Sequence, residues 1–177
     1  MGVLSCEKTG TLYTLRAETI IGRGRACLVR LEDRRVSGEH AQLTWTGDRW
    51  VLLDLGSRNG TWLRSARLDT REGETVDVHS RFHFGAPGAS WRLLDDGPPG
   101  PKARDIATGA IQHARDGVLR LPDDDAPQLV IVQDGRGRWL VETSGEGSAL
   151  SELKDLMELR VAGRVWQLHL PGGTGSK

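Results

Sequence analysis

Cysteine is nearly absent from this chain, with Cys6 and Cys27 the whole supply. Two thiols build no disulfide framework, and without a second pair they cannot make a zinc site; reduced thiols of a cytoplasmic protein are the expectation. Net charge is absent too. The 24 Lys and Arg residues are matched by 24 Asp and Glu, which argues against a general affinity for nucleic acid or acidic membranes. Long hydrophobic runs are also missing, since no stretch approaches the roughly 20 apolar residues of a membrane-spanning helix. The opening Met1-Gly2-Val3-Leu4-Ser5-Cys6 fails as a myristoylation signal, which wants Ser or Thr where Cys6 stands. It also fails as a lipoprotein leader, which needs a charged and then an apolar run before the cysteine.

Short strand signals are what the first half does contain. Ala41, Leu43 and Trp45 alternate with Gln42 and Thr44, the period of a strand with one wet face. Trp50-Val51-Leu52-Leu53 is apolar on both faces and suits a central strand. Thr46-Gly47-Asp48 between them reads as a hairpin turn. Similar runs occur at Thr11 to Leu15, Leu28 to Leu31, Thr75 to Val78, Arg81 to Phe84 and Ser90 to Leu94. Many short strands at this spacing, with no long helical period, predict an all-β sandwich or barrel.

At 177 residues the chain can hold one generous or two small domains. Asp95-Asp96-Gly97-Pro98-Pro99-Gly100-Pro101 breaks the strand pattern, so a linker is expected over 95–104. A smaller, mainly β domain should then occupy 105–170 and a disordered tail 171–177. Within that second domain, Ile106, Ala110, Ile111 and Ala114 hint at a helical face that Gly109 weakens. Strands are expected at Gln128 to Val132, Trp139 to Glu142, Met157 to Val161 and Arg164 to Leu170, the last two as a hairpin at Ala162-Gly163.

This second half also echoes the first. Val118 to Leu121 resembles Leu28 to Leu31, Gly137-Arg138-Trp139 resembles Asp48-Arg49-Trp50, Ser144 to Leu150 resembles Ser57 to Leu63, and Trp166 stands where Trp91 does. Glu146 then occupies the place of Asn59, so no phosphate site is expected there.

Arginine is unevenly spread. Arg23, Arg25, Arg30, Arg34 and Arg35 fall in one stretch, while Arg58, Arg64, Arg67 and Arg71 follow in another. Among them lie Gly22-Arg23, Ser37-Gly38-Glu39-His40 and Ser57-Arg58-Asn59-Gly60-Thr61-Trp62-Leu63. In order and spacing these segments closely resemble the forkhead-associated (FHA) family over about Met1 to Leu94. The resemblance implies a β-sandwich that binds phosphothreonine peptides in Ser/Thr kinase signalling, without enzymatic activity or cofactor. Its expected partner is a phosphothreonine-containing protein, either a Ser/Thr kinase or its substrate, and nothing in the sequence sets the oligomeric state.

A phosphothreonine carries nearly two negative charges and three acceptor oxygens, so its reader needs fixed donors. The Arg23 guanidinium is a permanently charged fork for two phosphate oxygens, and Ser37 can donate one hydroxyl hydrogen bond. The resemblance makes these two the phosphate contacts. It gives Asn59 the ligand main chain, with Arg58 reaching peptide or phosphate. It leaves Gly22, His40 and Gly60 to brace the loops, and Gly60 is expected at positive φ. Gly38 departs from the family pattern, which often has a larger polar residue there; Arg34 and Arg35 are candidates to compensate.

Two other chemistries meet obstacles. Ser37, His40 and Asp54 could be arranged as a hydrolytic triad, but there is no nucleophile elbow, and Ser and His three residues apart are badly placed for proton transfer. His79 and His83 have helical ligand spacing in a strand-like region, where four residues span about 13 Å. A phosphate-independent scaffold is the remaining alternative, expected if Arg23 is buried in an internal ion pair.

Overall fold

The structure is a computed structural model in which residues 1–85, 88–115, 117–134, 138–143 and 151–171 are described, and among them there is no helix. The chain divides into two compact units, Gly2–Pro98 and Pro99–Lys177.

The first unit has eleven strands: β1 (Val3–Cys6), β2 (Leu12–Thr14), β3 (Glu18–Gly22), β4 (Val29–Arg30), β5 (Ala41–Trp45), β6 (Trp50–Asp54), β7 (Thr61–Leu63), β8 (Ala66–Arg67), β9 (Glu74–Val76), β10 (Arg81–Phe84) and β11 (Trp91–Asp95). They form two sheets, in the orders β2-β1-β11-β10-β7-β8 and β4-β3-β5-β6-β9. Among the described residues, only β3 and β4 pair in parallel, with Ile21 opposite Val29.

Strand pleat turns alternate side chains inward. Ala41 and Leu43 of β5 are thereby buried with Trp50 and Leu52 of β6, in one core with Leu4, Ile21, Phe82 and Leu93. The expected hairpin is present, with Trp45 opposite Trp50 and Gly47 at φ 106°. Trp50 is 1% exposed and donates its indole N–H to the Gly97 carbonyl (3.1 Å), as a buried indole requires. Two central strands, β1 and β3, have no clear sequence signature. In β3 one buried inward position is polar, Thr19, whose hydroxyl is satisfied by the Arg16 N–H (2.9 Å) and carbonyl (3.0 Å).

The second unit contains β12 (Lys102–Asp105), β13 (Ile111–His113), β14 (Leu119–Leu121), β15 (Leu129–Gln133), β16 (Trp139–Thr143), β17 (Ser151–Glu152), β18 (Glu158–Val161) and β19 (Arg164–His169). Two expectations need correction. The interval between the units is shorter than 95–104, because Asp95 ends β11 and Lys102 begins β12. The helical face hinted over Ala103 to Arg115 is a β12–β13 hairpin, its turn fixed by the Asp105 carboxylate accepting the Ala107 N–H (2.9 Å) and by Gly109 at φ 75°. Ile106 and Ile111 are half exposed there, so their spacing marks no buried helical stripe.

Topology gives the echo between the halves a concrete form. The second unit's sheets run β13-β12-β19-β18 and β14-β15-β16-β17, which repeats β2-β1-β11-β10 and β3-β5-β6-β9 element for element. Detail follows suit. The first hairpin and its counterpart close with the same bonds: Gly10 N–H to Cys6 O and Gly109 N–H to Asp105 O are both 2.8 Å, while Cys6 N–H goes to Thr11 O and Asp105 N–H to Ala110 O. Trp139 begins β16 as Trp50 begins β6, and donates its indole N–H to the Pro171 carbonyl (3.2 Å). Trp166 crosses from Leu159 as Trp91 crosses from Phe82.

One element of the echo moves. Leu119–Leu121 pairs with β15 as β3 pairs with β5, and so corresponds to β3 and not to Leu28–Leu31. The Ser144 to Leu150 match, with Glu146, and the tail beyond Pro171 lie outside the described residues, as does Gly137. The second copy is trimmed in two places. Residues 22–40 of the first unit correspond to 122–128, and residues 55–73, which carry β7 and β8, to 144–150.

Candidate ligand-binding site

The two segments that only the first unit has in full length meet at one end of its sandwich. The chain leaving β3 lies against the segment between β4 and β5, with Arg23 N–H donating to Ser37 O and Gly24 N–H to Gly38 O, both at 2.8 Å. Glycine is required at position 22 for this approach, since a Cβ there would run into the Gly38 carbonyl. The buried Cys27 thiol donates to that same carbonyl (3.1 Å).

A buried carboxylate organises the turn after β6. Asp54, 1% exposed, accepts the Gly56 and Ser57 N–H groups (3.0 and 2.8 Å) at one oxygen and the Ser57 and Thr61 hydroxyls (both 2.7 Å) at the other. Ser57 Oγ in turn accepts the Gly60 N–H (2.9 Å). Burial pushes the Asp54 carboxyl up, and the hydroxyl and N–H bonds more than offset it, holding the group below its usual range as a full acceptor. Gly60 takes the expected positive φ, 80°.

His40 ties this turn to the other loop. Ser37 N–H donates to His40 Nδ1 (2.9 Å), so the proton of the neutral ring sits on Nε2, facing the Gly60 carbonyl at 3.1 Å. The ring is fully buried and meets Phe84 edge-on. Burial lowers its pKa from the ordinary 6.5, against the opposing pull of the Gly60 carbonyl and Asp54.

In front of this bracing lies an open cleft of about 230 Å³, lined by Arg23, Arg34, Arg35, Val36, Ser37, Gly38, Arg58 and Asn59. Ser37 Oγ accepts the Arg58 N–H (3.1 Å), which leaves its own proton to donate outward. Asn59 Nδ2 donates to the Arg35 carbonyl (2.8 Å), spending one of the carboxamide's donors to join the loops and keeping its oxygen as an acceptor. Arg23 is exposed, its Nε reaching the Val36 carbonyl at 3.4 Å, and among the described residues it forms no internal ion pair, the condition set for a phosphate-independent scaffold. Arg35 is engaged by Asp33, Nη2 to Oδ2 at 2.6 Å, a pairing that holds the Asp33 carboxyl at about 2.

All six polar candidates, Arg23, Arg34, Arg35, Ser37, Arg58 and Asn59, therefore share one cleft, with Gly22, His40 and Gly60 behind it. A triad is not formed: His40 receives the backbone N–H of Ser37 and not its hydroxyl, and Asp54 serves Ser57 and Thr61. Sequence reading missed the Asp54 hub. Its available signal was Asp54-Leu55-Gly56-Ser57, since a carboxylate ahead of Gly and Ser readily accepts the turn's N–H groups.

Residues 19–85 match the model of the FHA domain, and the first unit carries an FHA domain. FhaA of Mycobacterium tuberculosis, an FHA domain-containing protein, is 42% identical over 73 residues, 41% of this chain and 14% of its own length. FhaB of the same organism is 40% identical over 63 residues, 35% of this chain and 41% of its own. The match thus spans less than half of these relatives. A solved structure described as part of an analysis of phosphothreonine-dependent FHA domain interactions aligns with 52% of this chain and 95% of its own, at 29% identity and a TM-score of 0.47.

Proposed function

We propose that the first unit reads phosphothreonine peptides, as a non-enzymatic adaptor in Ser/Thr kinase signalling. The observation that carries this reading is the convergence of an exposed Arg23, a Ser37 hydroxyl with its proton free, and Asn59 in one cleft. Arg23 takes two phosphate oxygens through its fork, Ser37 donates to a third, and the Asn59 carboxamide pairs with the peptide backbone. Arg23 and Ser37 present donors and Asn59 keeps an acceptor beside a donor, each tied to the loop backbone. Arg58 supports the peptide from the adjoining turn. A cleft of about 230 Å³ is smaller than the roughly 300–1,000 Å³ of pockets that enclose a whole small molecule, and it suits a charged side chain on an extended peptide.

The partner is a phosphothreonine-containing protein, a Ser/Thr kinase or its substrate, met in the cytoplasm where the free thiols Cys6 and Cys27 stay reduced. Calorimetry of the full chain with a degenerate phosphothreonine library and its unphosphorylated twin tests the reading. Binding should require the phosphate and vanish in Arg23→Ala while cooperative unfolding is kept. Because the second unit has only residues 122–128 where the first has 22–40, no residual phosphate-dependent binding should survive that substitution. Equal affinity for phosphorylated and plain peptides would refute the proposal.

A further inference from the structure

The cleft holds more positive charge than one phosphate uses. Four of its eight lining residues are arginine and none is acidic. Arg35 is neutralised by Asp33, through Nε to Oδ1 (3.0 Å) and Nη2 to Oδ2 (2.6 Å). Arg23 and Ser37 are placed to engage the oxygens of a single phosphate. Arg34 and Arg58 remain, and among the described residues their guanidinium groups have no hydrogen-bond or ion-pair partner. A phosphate of charge about −1.5 to −2 offsets only part of three uncommitted guanidiniums.

Space accompanies the charge. Nothing lies within 4 Å of where a Cβ on Gly38 would point, so the cleft is open beside Ser37. Arg58 lines the same cleft, its backbone N–H on the Ser37 hydroxyl (3.1 Å). Arg34 lines it too, from the Ser37 loop three residues upstream.

We infer that this site selects a phosphothreonine accompanied by a second anionic side chain on the same peptide, held by Arg34 and Arg58 while Arg23 and Ser37 hold the phosphate. The inference rests on the phosphothreonine reading above and adds its ligand class. A second phosphate and an Asp or Glu carboxylate both supply the required chemistry, the former with two charges and more acceptors, so a ranking between them is built in. Fork-like guanidiniums suit either.

The test uses the full chain and four peptides of one sequence: unphosphorylated, singly phosphorylated with neutral neighbours, singly phosphorylated with Asp or Glu neighbours, and doubly phosphorylated. Exposed charge pairs are weak individually, so two together are expected to favour the acidic-neighbour peptide over the neutral one by about tenfold, equivalent to 1.4 kcal/mol. The doubly phosphorylated peptide should exceed both and show the steepest fall with salt. In the Arg34→Gln, Arg58→Gln variant the ratio of affinities for charged and neutral-flanked phosphopeptides should collapse toward one. An unchanged ratio with all phosphopeptides weakened alike would place these arginines on the first phosphate and overturn the inference, as would a wild-type ratio near one. Failure of every phosphopeptide to outbind the unphosphorylated peptide is a different result, which sinks the phosphothreonine reading itself.

Discussion

Replacing His40 separates what the imidazole contributes by filling space from what it contributes by bonding. In the folded chain His40 Nδ1 accepts the Ser37 N–H at 2.9 Å, Nε2 faces the Gly60 carbonyl at 3.1 Å, and the ring packs edge-on against Phe84 with centroids 5.9 Å apart. His40→Phe keeps an aromatic ring against Phe84, six-membered in place of the five-membered imidazole, and removes both polar atoms. The Gly60 carbonyl keeps a partner, the Gly85 N–H at 2.9 Å, so the Ser37 N–H is the group left orphaned. An unsatisfied buried donor costs about 1–3 kcal/mol. At about 4–8 °C per kcal/mol for a domain of this size, thermal unfolding of the full chain should show a clear downward shift in one transition. His40→Ala adds a cavity on top, and aromatic-to-alanine truncations cost about 3–5 kcal/mol. Phosphopeptide affinity should fall in both variants by about tenfold or more, because Ser37 is released and a hydrogen bond to a charged group contributes about 1.5–3 kcal/mol. The decisive comparison is His40→Phe by calorimetry below its melting range. Wild-type affinity in that variant would show that the imidazole does not position Ser37.

Acid should weaken the same brace. The folded pKa of His40 is lowered below the ordinary 6.5, mainly by burial; the unfolded chain therefore binds more protons in that window, and stability is lost as pH falls from about 6.5 through the folded value. Denaturant titrations without peptide should show that loss in the wild type and less of it in His40→Phe; identical pH slopes would contradict the assignment. Asp54→Asn should cost about 2–3 kcal/mol, since two hydroxyls lose a charged acceptor while the Gly56 and Ser57 N–H groups keep the amide oxygen; affinity should drop with it, and an unperturbed melt would remove Asp54 from its place at the hub. Gly38→Arg should tighten phosphopeptide binding several-fold with little change in stability, because the position is sterically open and not at positive φ; weaker binding would mean that the open space beside Ser37 is needed by the ligand.

The frame of the first unit was legible because its core follows the strand period: Ala41 and Leu43 alternate inward as their spacing implies, and of the doubly apolar Trp50–Leu53 it is Trp50 and Leu52 that are buried. The residues that line the cleft were picked out for a different reason, their order along the chain, which the resemblance supplied. What stayed hidden depends on contacts between segments distant in sequence. Nothing local indicates that Asp54 will be buried among hydroxyls, or that Cys27 will donate to Gly38. The β12–β13 hairpin was obscured because Ile106 and Ile111, both exposed, carry a misleading apolar signal, whereas the buried inward residue is Ala103, too small to mark a pattern.

The trimmed second unit explains why the anchors of the site are polar. A sandwich closes without them: β12 to β19 repeat the sheet orders of the first unit around Leu119, Ile131, Trp139, Trp166 and Leu168. Register places Thr143 opposite Leu129 as Asp54 stands opposite Ala41, and the segment that would carry a counterpart of His40 is reduced to 122–128. Burying an imidazole or a carboxylate is costly unless its hydrogen bonds are met. In the first unit they are met by the loops themselves, Ser37 and Gly60 for His40, and Gly56, Ser57 and Thr61 for Asp54. Loop and anchor are mutually dependent: a frame keeping the anchors without the loops would bury unpaired polar groups, and one keeping the loops without the anchors would leave Ser37 and Asn59 without fixed positions. Loop and anchor are thus coupled in the first unit, and among the described residues the second unit has a counterpart of neither His40 nor Asp54.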